Sequence, residues 1–276
     1  MTTEFDFAKA LAREAGTLIR QLREDAPLTQ AFKNGNELVT NADLQADALI
    51  CRAIAARFPE HAILSEESSP TLGNPETINK PLWIIDPIDG TVNFAHGHRQ
   101  SAVSIAWVEA QQVRCGVVYN PFTDELFAAR LGGGATLNDE PIQVSAVTEL
   151  RQALVATGFP YDKSVIGPLV DRLHGVLAHC ADIRRLGSAA LDICWLAAGR
   201  LDGYYESLSV WDFAAAQLIA TEAGARFGHF SPVPPGSNPQ FHATDILIAN
   251  PSIYPQLLAV LQASHQSDGI SPQIPA

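Results

Sequence analysis

The stretch WIIDPIDGTVNF, Trp83 to Phe94, decides how this chain is read. A short apolar run drives into two aspartates three residues apart, Asp86 and Asp89, and Gly90, Thr91 and Asn93 follow at once. Pro87 fixes its own φ and biases Asp86 toward an extended conformation. The two carboxylates therefore leave a strand end at a bend instead of spreading along a helix. Hard oxygen donors gathered at a strand end suit Mg²⁺, which takes carboxylates, carbonyls and waters in octahedral geometry. Gly90 and Thr91 then present N–H groups where a helix could begin, a place that attracts phosphate. Taken alone, the string also reads as a turn with Asx caps into the next helix.

Two more acidic segments weigh against the turn. LSEES places Glu66 and Glu67 just after an apolar strand, and SVWDFAAAQLIATEAG places Asp212 at a helix start after a bulky aromatic. Alone, the first is a solvated loop and Asp212 is most simply an N-cap. Together, Glu66, Asp86, Asp89 and Asp212 make a cage of carboxylates from three strand or helix termini. Like charges so close repel strongly, and divalent cations make the arrangement sensible. A fifth acid, Asp43 in VTNADLQAD, reads as a first-turn helix acid.

Composition bounds the rest. The chain has 276 residues with 47% hydrophobic and 17% charged, the profile of a globular protein with a real core. No apolar run is long enough for a transmembrane helix, and MTTEFDFAKALAREAG lacks a secretory-signal pattern. Cys51, Cys115, Cys180 and Cys194 form no C-x-x-C pair and read as small buried hydrophobes in a reducing cytoplasm. A net charge of −12 disfavours direct nucleic-acid binding and allows an anionic substrate only through bound cations.

Periodicity predicts helices over 4–24, ended by Pro27, and over 42–58 with Thr40 or Asn41 as N-cap. HAILSEES and PLWIIDPIDG are strands, and SAVSIAWVEA, QVRCGVVYNP and DELFAARLGGGATLNDEPI form an antiparallel meander. After about residue 150 strands (ALVATG, LDGYYES, DILIAN) alternate with helices (GPLVDRLHGVLAH, GSAALDICWLAAGR, DFAAAQLIATEAG). Pro251 opens a last helix to about Ala263, and the polar tail from Ser264 is expected to be disordered. The expected fold is an α+β half followed by an α/β half, a layered sandwich of alternating helices and sheets. An N-terminal domain, 1–147, carries the main metal and phosphate motifs. A C-terminal domain, 148–263, carries Asp212, and 264–276 is the tail.

At this point the sequence resembles the inositol monophosphatase family, the Mg²⁺-dependent, lithium-sensitive sugar-phosphate phosphatases. EES, WIIDPIDGTVNF and WDFAAAQLIATEAG match the family's three acidic motifs in order, and the likeness runs from about Phe5 to Leu261. The resemblance implies the sugar-phosphatase fold and usually a dimer. It makes Glu66, Asp86 and the Ile88 carbonyl ligands of a first Mg²⁺, and Asp86, Asp89 and Asp212 ligands of a second. Glu66 would help with a weaker third. Gly90 and Thr91 would hold the phosphate through backbone N–H groups, while Thr91 and Asp43 orient the attacking water. Gly187, Ser188 and Ala189 in RLGSAALD would line the sugar pocket, with Asp89 also contacting substrate. Glu206 in DGYYES would take a ring hydroxyl. Charge neutralisation and positioning are what hydrolysis of a phosphate monoester dianion needs, and two cations supply both in an in-line displacement.

Three departures stand out. The segment between Glu206 and Trp211 is one residue shorter than the family pattern, Gln100 replaces a common proline, and Ala225 a usual glycine. The implied reaction is hydrolysis of inositol monophosphate. Alternatives in the same superfamily are histidinol phosphate, a nucleotide 3′-phosphate or fructose bisphosphate. A different class is a regulatory protein acting through a partner such as the transcription machinery, a role credited to some bacterial relatives. His96 and His98 lack a third partner for zinc. LGGGATLN, Leu131 to Asn138, reads as a β-turn and not a nucleotide loop.

Overall fold

An amphipathic helix opens the described structure. The computed structural model describes residues 3–25, 28–33, 37–70, 79–160 and 166–265. Helix α1 (Glu4–Asp25) buries Ala8, Leu11, Ala12, Ala15 and Ile19, the i, i+3, i+4 stripe expected of one helical face. Strands β1 (Gln30–Lys33) and β2 (Glu37–Thr40) then pair antiparallel and lead into α2 (Asn41–Arg57), whose N-cap is Thr40.

The larger sheet holds seven strands side by side in chain order. They are β3 (Ala62–Ser65), β4 (Leu82–Asp89), β5 (Ala102–Glu109), β6 (Gln112–Asn120), β7 (Glu125–Arg130), β8 (Ala135–Leu137) and β9 (Glu140–Pro141). β3 runs parallel to β4, and the rest is the antiparallel meander that the turn signals predict. Every residue of β4 is buried, since both faces of this strand are covered. A one-and-a-half-turn helix, α3 (Thr91–His96), follows β4 directly.

The smaller, mixed sheet has the order β11-β10-β12-β14-β13, built from β10 (Leu154–Thr157), β11 (Asp182–Arg184), β12 (Gly203–Glu206), β13 (Arg226–His229) and β14 (Ile246–Ala249). β10 is parallel to β11 and β12, and β14 is antiparallel to β12 and β13. Helices α4 (Ile166–Leu177) and α7 (Tyr254–His265) pack together on its outer side, where Leu257 and Leu261 join Val155 and Leu247 in one apolar cluster. Helices α5 (Ala189–Ala197) and α6 (Val210–Glu222) fill the space between the two sheets. With α1 and α2 on the far side of the larger sheet, the layers run helix, sheet, helix, sheet, helix.

Burial on all sides explains α6. Phe213 through Ala220 are all buried, so the helix has no polar face. Its small residues let it sit hard against β6 at Gly116, where an added Cβ would lie 2.5 Å from the Ala215 carbonyl oxygen and 2.9 Å from its Cα.

Several expectations need correction. α7 starts three residues beyond Pro251 and includes Ser264 and His265, so the tail does not begin at Ser264; residues 266–276, like Pro27, lie outside the described residues. α6 starts at Val210 with Ser209 as N-cap, so Asp212 occupies the third helical position and is not the cap residue. β1, β2, β11 and β13, each three or four residues long, were not predicted. All four cysteines are free, but Cys51 and Cys180 are only half-buried. Burial pushes the Cys51 and Cys115 thiols up to about 11 and about 12, away from reactive thiolates.

The contact at Gly116 yields a measurement. Gly116→Ala drives a methyl into α6 backbone that has no room to give, and should cost about 1–3 kcal/mol. Gly167, in the first turn of α4 with open space around its Cα, should accept alanine with no loss. Equal melting temperatures for the two variants would refute the close helix–sheet contact.

Candidate active site

A single extra residue in β4 creates the site. β4 pairs with β5 through Asp86 opposite Ser104, and the register resumes with Asp89 opposite Ala102. Three residues on one strand therefore span two on the other, which is a β-bulge. In an unbroken strand, residues three apart face opposite sides of the sheet. The bulge cancels that alternation and turns both aspartates the same way. Pro87, with no N–H to offer the ladder, falls within the irregular segment.

One carboxylate oxygen from each of Asp86, Asp89 and Asp212 lies within 4.8 Å of the others. The Glu66 carboxyl lies beside that of Asp86 at the rim of the same cavity and adds a fourth acid to the cluster. Burial, reinforced by Glu66, Asp89 and Asp212, holds Asp86 well above the usual carboxylate range. Burial first, then Asp89 and Glu66, does the same to Asp212. Asp89 is pushed up by burial to about 6. An all-oxygen donor set at such density fits a hard divalent cation, and no histidine or cysteine belongs to it.

Three of the acids are also fastened to helix N-termini. Asp43 Oδ2 accepts from the Thr40 N–H at 2.8 Å and from its hydroxyl at 2.6 Å, the capping box of α2. Asp89 Oδ2 accepts from the Ser188 hydroxyl and from the Ala190 N–H (2.8 Å) at the start of α5. Asp212 Oδ2 accepts from the Ser209 N–H at 2.8 Å at the start of α6. A carboxylate has about four lone-pair sites, so each keeps capacity for another partner.

These groups border one cavity of about 410 Å³. Glu66, Asp86, Ile88, Asp89, Gly90 and Thr91 line it from the larger sheet, and Gly187, Ser188, Ala189, Glu206 and Asp212 from the other side. Asp43 stands behind this wall: Thr91 Oγ1 lies 3.0 Å from Asp43 Oδ1 and 3.0 Å from the Ile88 carbonyl oxygen. Gly90 must be glycine, because its φ is +90° and a Cβ would lie 2.7 Å from the Gln100 carbonyl oxygen. The Ser188 hydroxyl donates to Asp89 and accepts from the Leu191 N–H, so it meets the cavity with its proton already used.

Glu206 reaches the cavity despite the shortened segment after it. Tyr204 donates its hydroxyl to Glu206, and burial raises the Glu206 carboxyl to about 7, with Tyr204 and Arg185 opposing. Gly158 leaves the space that this carboxylate fills. Sequence reading missed four residues here. Asn93 donates through Nδ2 to the carbonyls of Gln100 (2.9 Å) and Leu186 (2.7 Å), tying α3 to the loop before α5. Arg185, Asp192 and Tyr204 line the cavity, and nothing in their local sequence marks them. In the Leu131–Asn138 stretch the turn covers only the first four residues, because Ala135–Leu137 form β8. The turn's Gly132 and Gly134 amides donate to the Glu222 carboxylate at 2.7 and 2.8 Å.

A stability measurement follows from the buried acids. Asp89 (about 6, against 3.8) and Glu206 (about 7, against 4.5) hold protons in the native state that the unfolded chain releases. Native protein then binds more protons than unfolded chain, so stability falls as pH rises through that window. In EDTA the melting temperature should drop between about pH 4 and about pH 7, and saturating Mg²⁺ should flatten the part of the slope that belongs to Asp89. A melting temperature that rises with pH in EDTA would contradict the burial of these two acids.

The family model described as the inositol monophosphatase family matches residues 1–266. A Nus factor SuhB from Vibrio cholerae is 44% identical over 217 residues, covering 78% of this chain and 80% of its own. Among solved structures, an extragenic suppressor protein suhB from Bartonella henselae superposes with a TM-score of 0.83 at 35% identity, covering 95% of this chain and 97% of that one. An IMPase from Thermotoga maritima gives 0.82 at 32% identity, with 96% and 98% covered. The acidic motifs, the layered fold and these matches agree: the chain belongs to the inositol monophosphatase family.

Proposed function

We propose that this protein hydrolyses a small phosphate monoester with Mg²⁺, inositol monophosphate foremost. The observation that carries the reading is the bulged end of β4, which brings Asp86 and Asp89 together with Asp212 in one cavity with Thr91 and Glu206. Asp86, Asp89, Asp212, Glu66 and the Ile88 carbonyl would hold two Mg²⁺ ions, with a weaker third beside Glu66. When bound, such ions neutralise the carboxylates and the phosphate dianion and acidify water.

The chain's own groups do the positioning. Thr91 Oγ1 has one proton and two acceptors, Asp43 and the Ile88 carbonyl, so it turns a lone pair toward the cavity. A water held there gives its proton to Thr91 as the Thr91 proton moves to Asp43 Oδ1. Asp43 is suited to receive it, because burial raises its carboxyl above the usual range. Backbone amides of Gly90 and Thr91 orient the phosphate, and Glu206 with the start of α5 takes the alcohol. The family's lithium sensitivity belongs to the same reading, through the weak third site.

A relative carrying the name Nus factor supports a second reading, a regulatory role through a partner of the transcription machinery. The two readings separate by chemistry, since a purely regulatory protein has no need of turnover.

Phosphate release should vanish in EDTA, return with Mg²⁺ and be inhibited by Ca²⁺, whose looser coordination does not hold an in-line geometry. Full release with chelator present would defeat the metal mechanism. Asp212→Asn provides the sharper measurement. An amide oxygen can still accept from Ser209, so thermal stability in chelator should stay level or rise as repulsion is relieved. Turnover should fall by orders of magnitude and the Mg²⁺ requirement should increase. Near-normal turnover at ordinary Mg²⁺ would reduce Asp212 to a helix-capping group.

A further inference from the structure

We infer that Asp192 is a specificity-determining residue that accepts a hydroxyl of the substrate's alcohol half, next to the one taken by Glu206. The inference rests on the phosphatase reading above. Asp192 lies in the first turn of α5, three residues after Ala189 and four after Ser188, so it shares their face of the helix. It is 2% exposed, yet it lines the cavity.

Its carboxylate lacks what the other acids of the site possess. Asp43, Asp86, Asp89, Asp212 and Glu206 each accept a hydrogen bond from a protein donor. Asp192 Oδ1 is buried with no partner, and among the described residues nothing donates to this side chain. Buried polar atoms are satisfied as a rule, and a carboxylate is the most costly exception. Nearby charge makes matters worse, since Asp89 and Glu206 both oppose its ionisation.

Structural explanations fall away in turn. Helix capping is already done: Ser188 Oγ accepts from the Leu191 N–H, and Asp89 takes the Ala190 N–H. Metal ligation is done by others, because Asp192 is not in the acidic triad. Arg185 is the compensating cation, but its guanidinium lies over the Phe159 ring, 5.2 Å from the centroid, and forms no ion pair with Asp192 among the described residues. What remains is a ligand that brings donors. Glu206 on β12 already receives the Tyr204 hydroxyl, while Asp192 receives nothing. An alcohol with two hydroxyls beyond the esterified one satisfies both carboxylates. An aryl or simple alkyl group displaces water from Asp192 and gives nothing back.

Two ligands separate the roles: inositol monophosphate, with further hydroxyls on its alcohol, and p-nitrophenyl phosphate, with none. Asp192→Leu should lower the kcat/KM ratio of the first over the second by about 10- to 100-fold, and Asp192→Asn, which keeps one acceptor, by about 3- to 10-fold. Calorimetric titration with Ca²⁺ in place of Mg²⁺ should show the same change in the ratio of Kd values. If Asp192→Leu does not fold, the Asn variant carries the comparison. Equal losses on both ligands, with a lower melting temperature, would make Asp192 a structural residue and overturn the inference. Wild-type protein that releases no phosphate while the binding ratio still falls would sink the phosphatase reading and leave the Asp192 contact standing. An unchanged binding ratio would remove that contact.

Discussion

Mutual repulsion among buried carboxylates is the constraint on which the rest of this structure depends. Ligand oxygens of Asp86, Asp89 and Asp212 converge to within 4.8 Å, with Glu66 close enough to oppose the ionisation of Asp86. A cluster of this kind forces its own groups apart unless positive charge offsets it. The fold supplies part of that offset before any cation arrives. The N-termini of α2, α3, α5 and α6 all meet the site or the residues behind it, and each carries roughly half a positive charge. Three of the acids reach back onto those termini directly. Each helix start and its aspartate thus stabilise one another, by up to about 2 kcal/mol in a partly buried setting. The same carboxylates remain able to accept from the cavity side.

That double use explains why the layers are arranged as they are. Helices can point their N-termini at the end of β4 only if they lie on both sides of the larger sheet. α1 and α2 cover one face, and α5 and α6 the other, where they also form the floor of the smaller sheet. The all-buried character of α6 and the absence of a side chain at Gly116 follow from this position between two sheets. Packing and electrostatics therefore make one demand of the sequence here, for small residues behind an acidic first turn.

Much of this was readable in the chain, and the unread part has physical causes. The apolar run into Asp86 and Asp89 announces an acidic strand end, and Pro87 hints at a bend. Which side each carboxylate faces is set by the register against β5, a pairing that local sequence does not contain. Asp212 reads as a helix-start acid, and it is one, but Ser209 caps the helix and Asp212 only reaches back. β11 and β13 are short strands at the edges of the smaller sheet, with too few residues to show alternation. β1 and β2 flank an Asn-Gly-Asn sequence, a hairpin signal that was there to be used. Asp192 was invisible for a different reason. In GSAALDICWLAAGR it looks like the polar residue of an ordinary helix, and its oddity lies wholly in being buried without a donor.

The contacts around Asp89 also couple the acidic cluster to the opposite wall of the cavity. Asp89 ends β4 in the larger sheet, yet its Oδ2 is fixed to Ser188 and Ala190 at the start of α5. Asn93, four residues on, holds the Leu186 carbonyl just before that helix. Gly90, between them, packs so tightly that a Cβ would lie 3.1 Å from the Gly187 carbonyl oxygen. The loop that opens α5 is therefore clamped by the same short segment that gathers the acids. A shift in charge at Asp89 changes how strongly it holds Ser188 and the Ala190 amide, because hydrogen bonds to an ionised carboxylate are roughly twice as strong as those to a neutral one. Asp192 rides on the same helix one turn further in. The acidic cluster and the cavity wall that carries Asp192 are thus parts of one mechanical unit, linked through Asp89, Gly90 and Asn93.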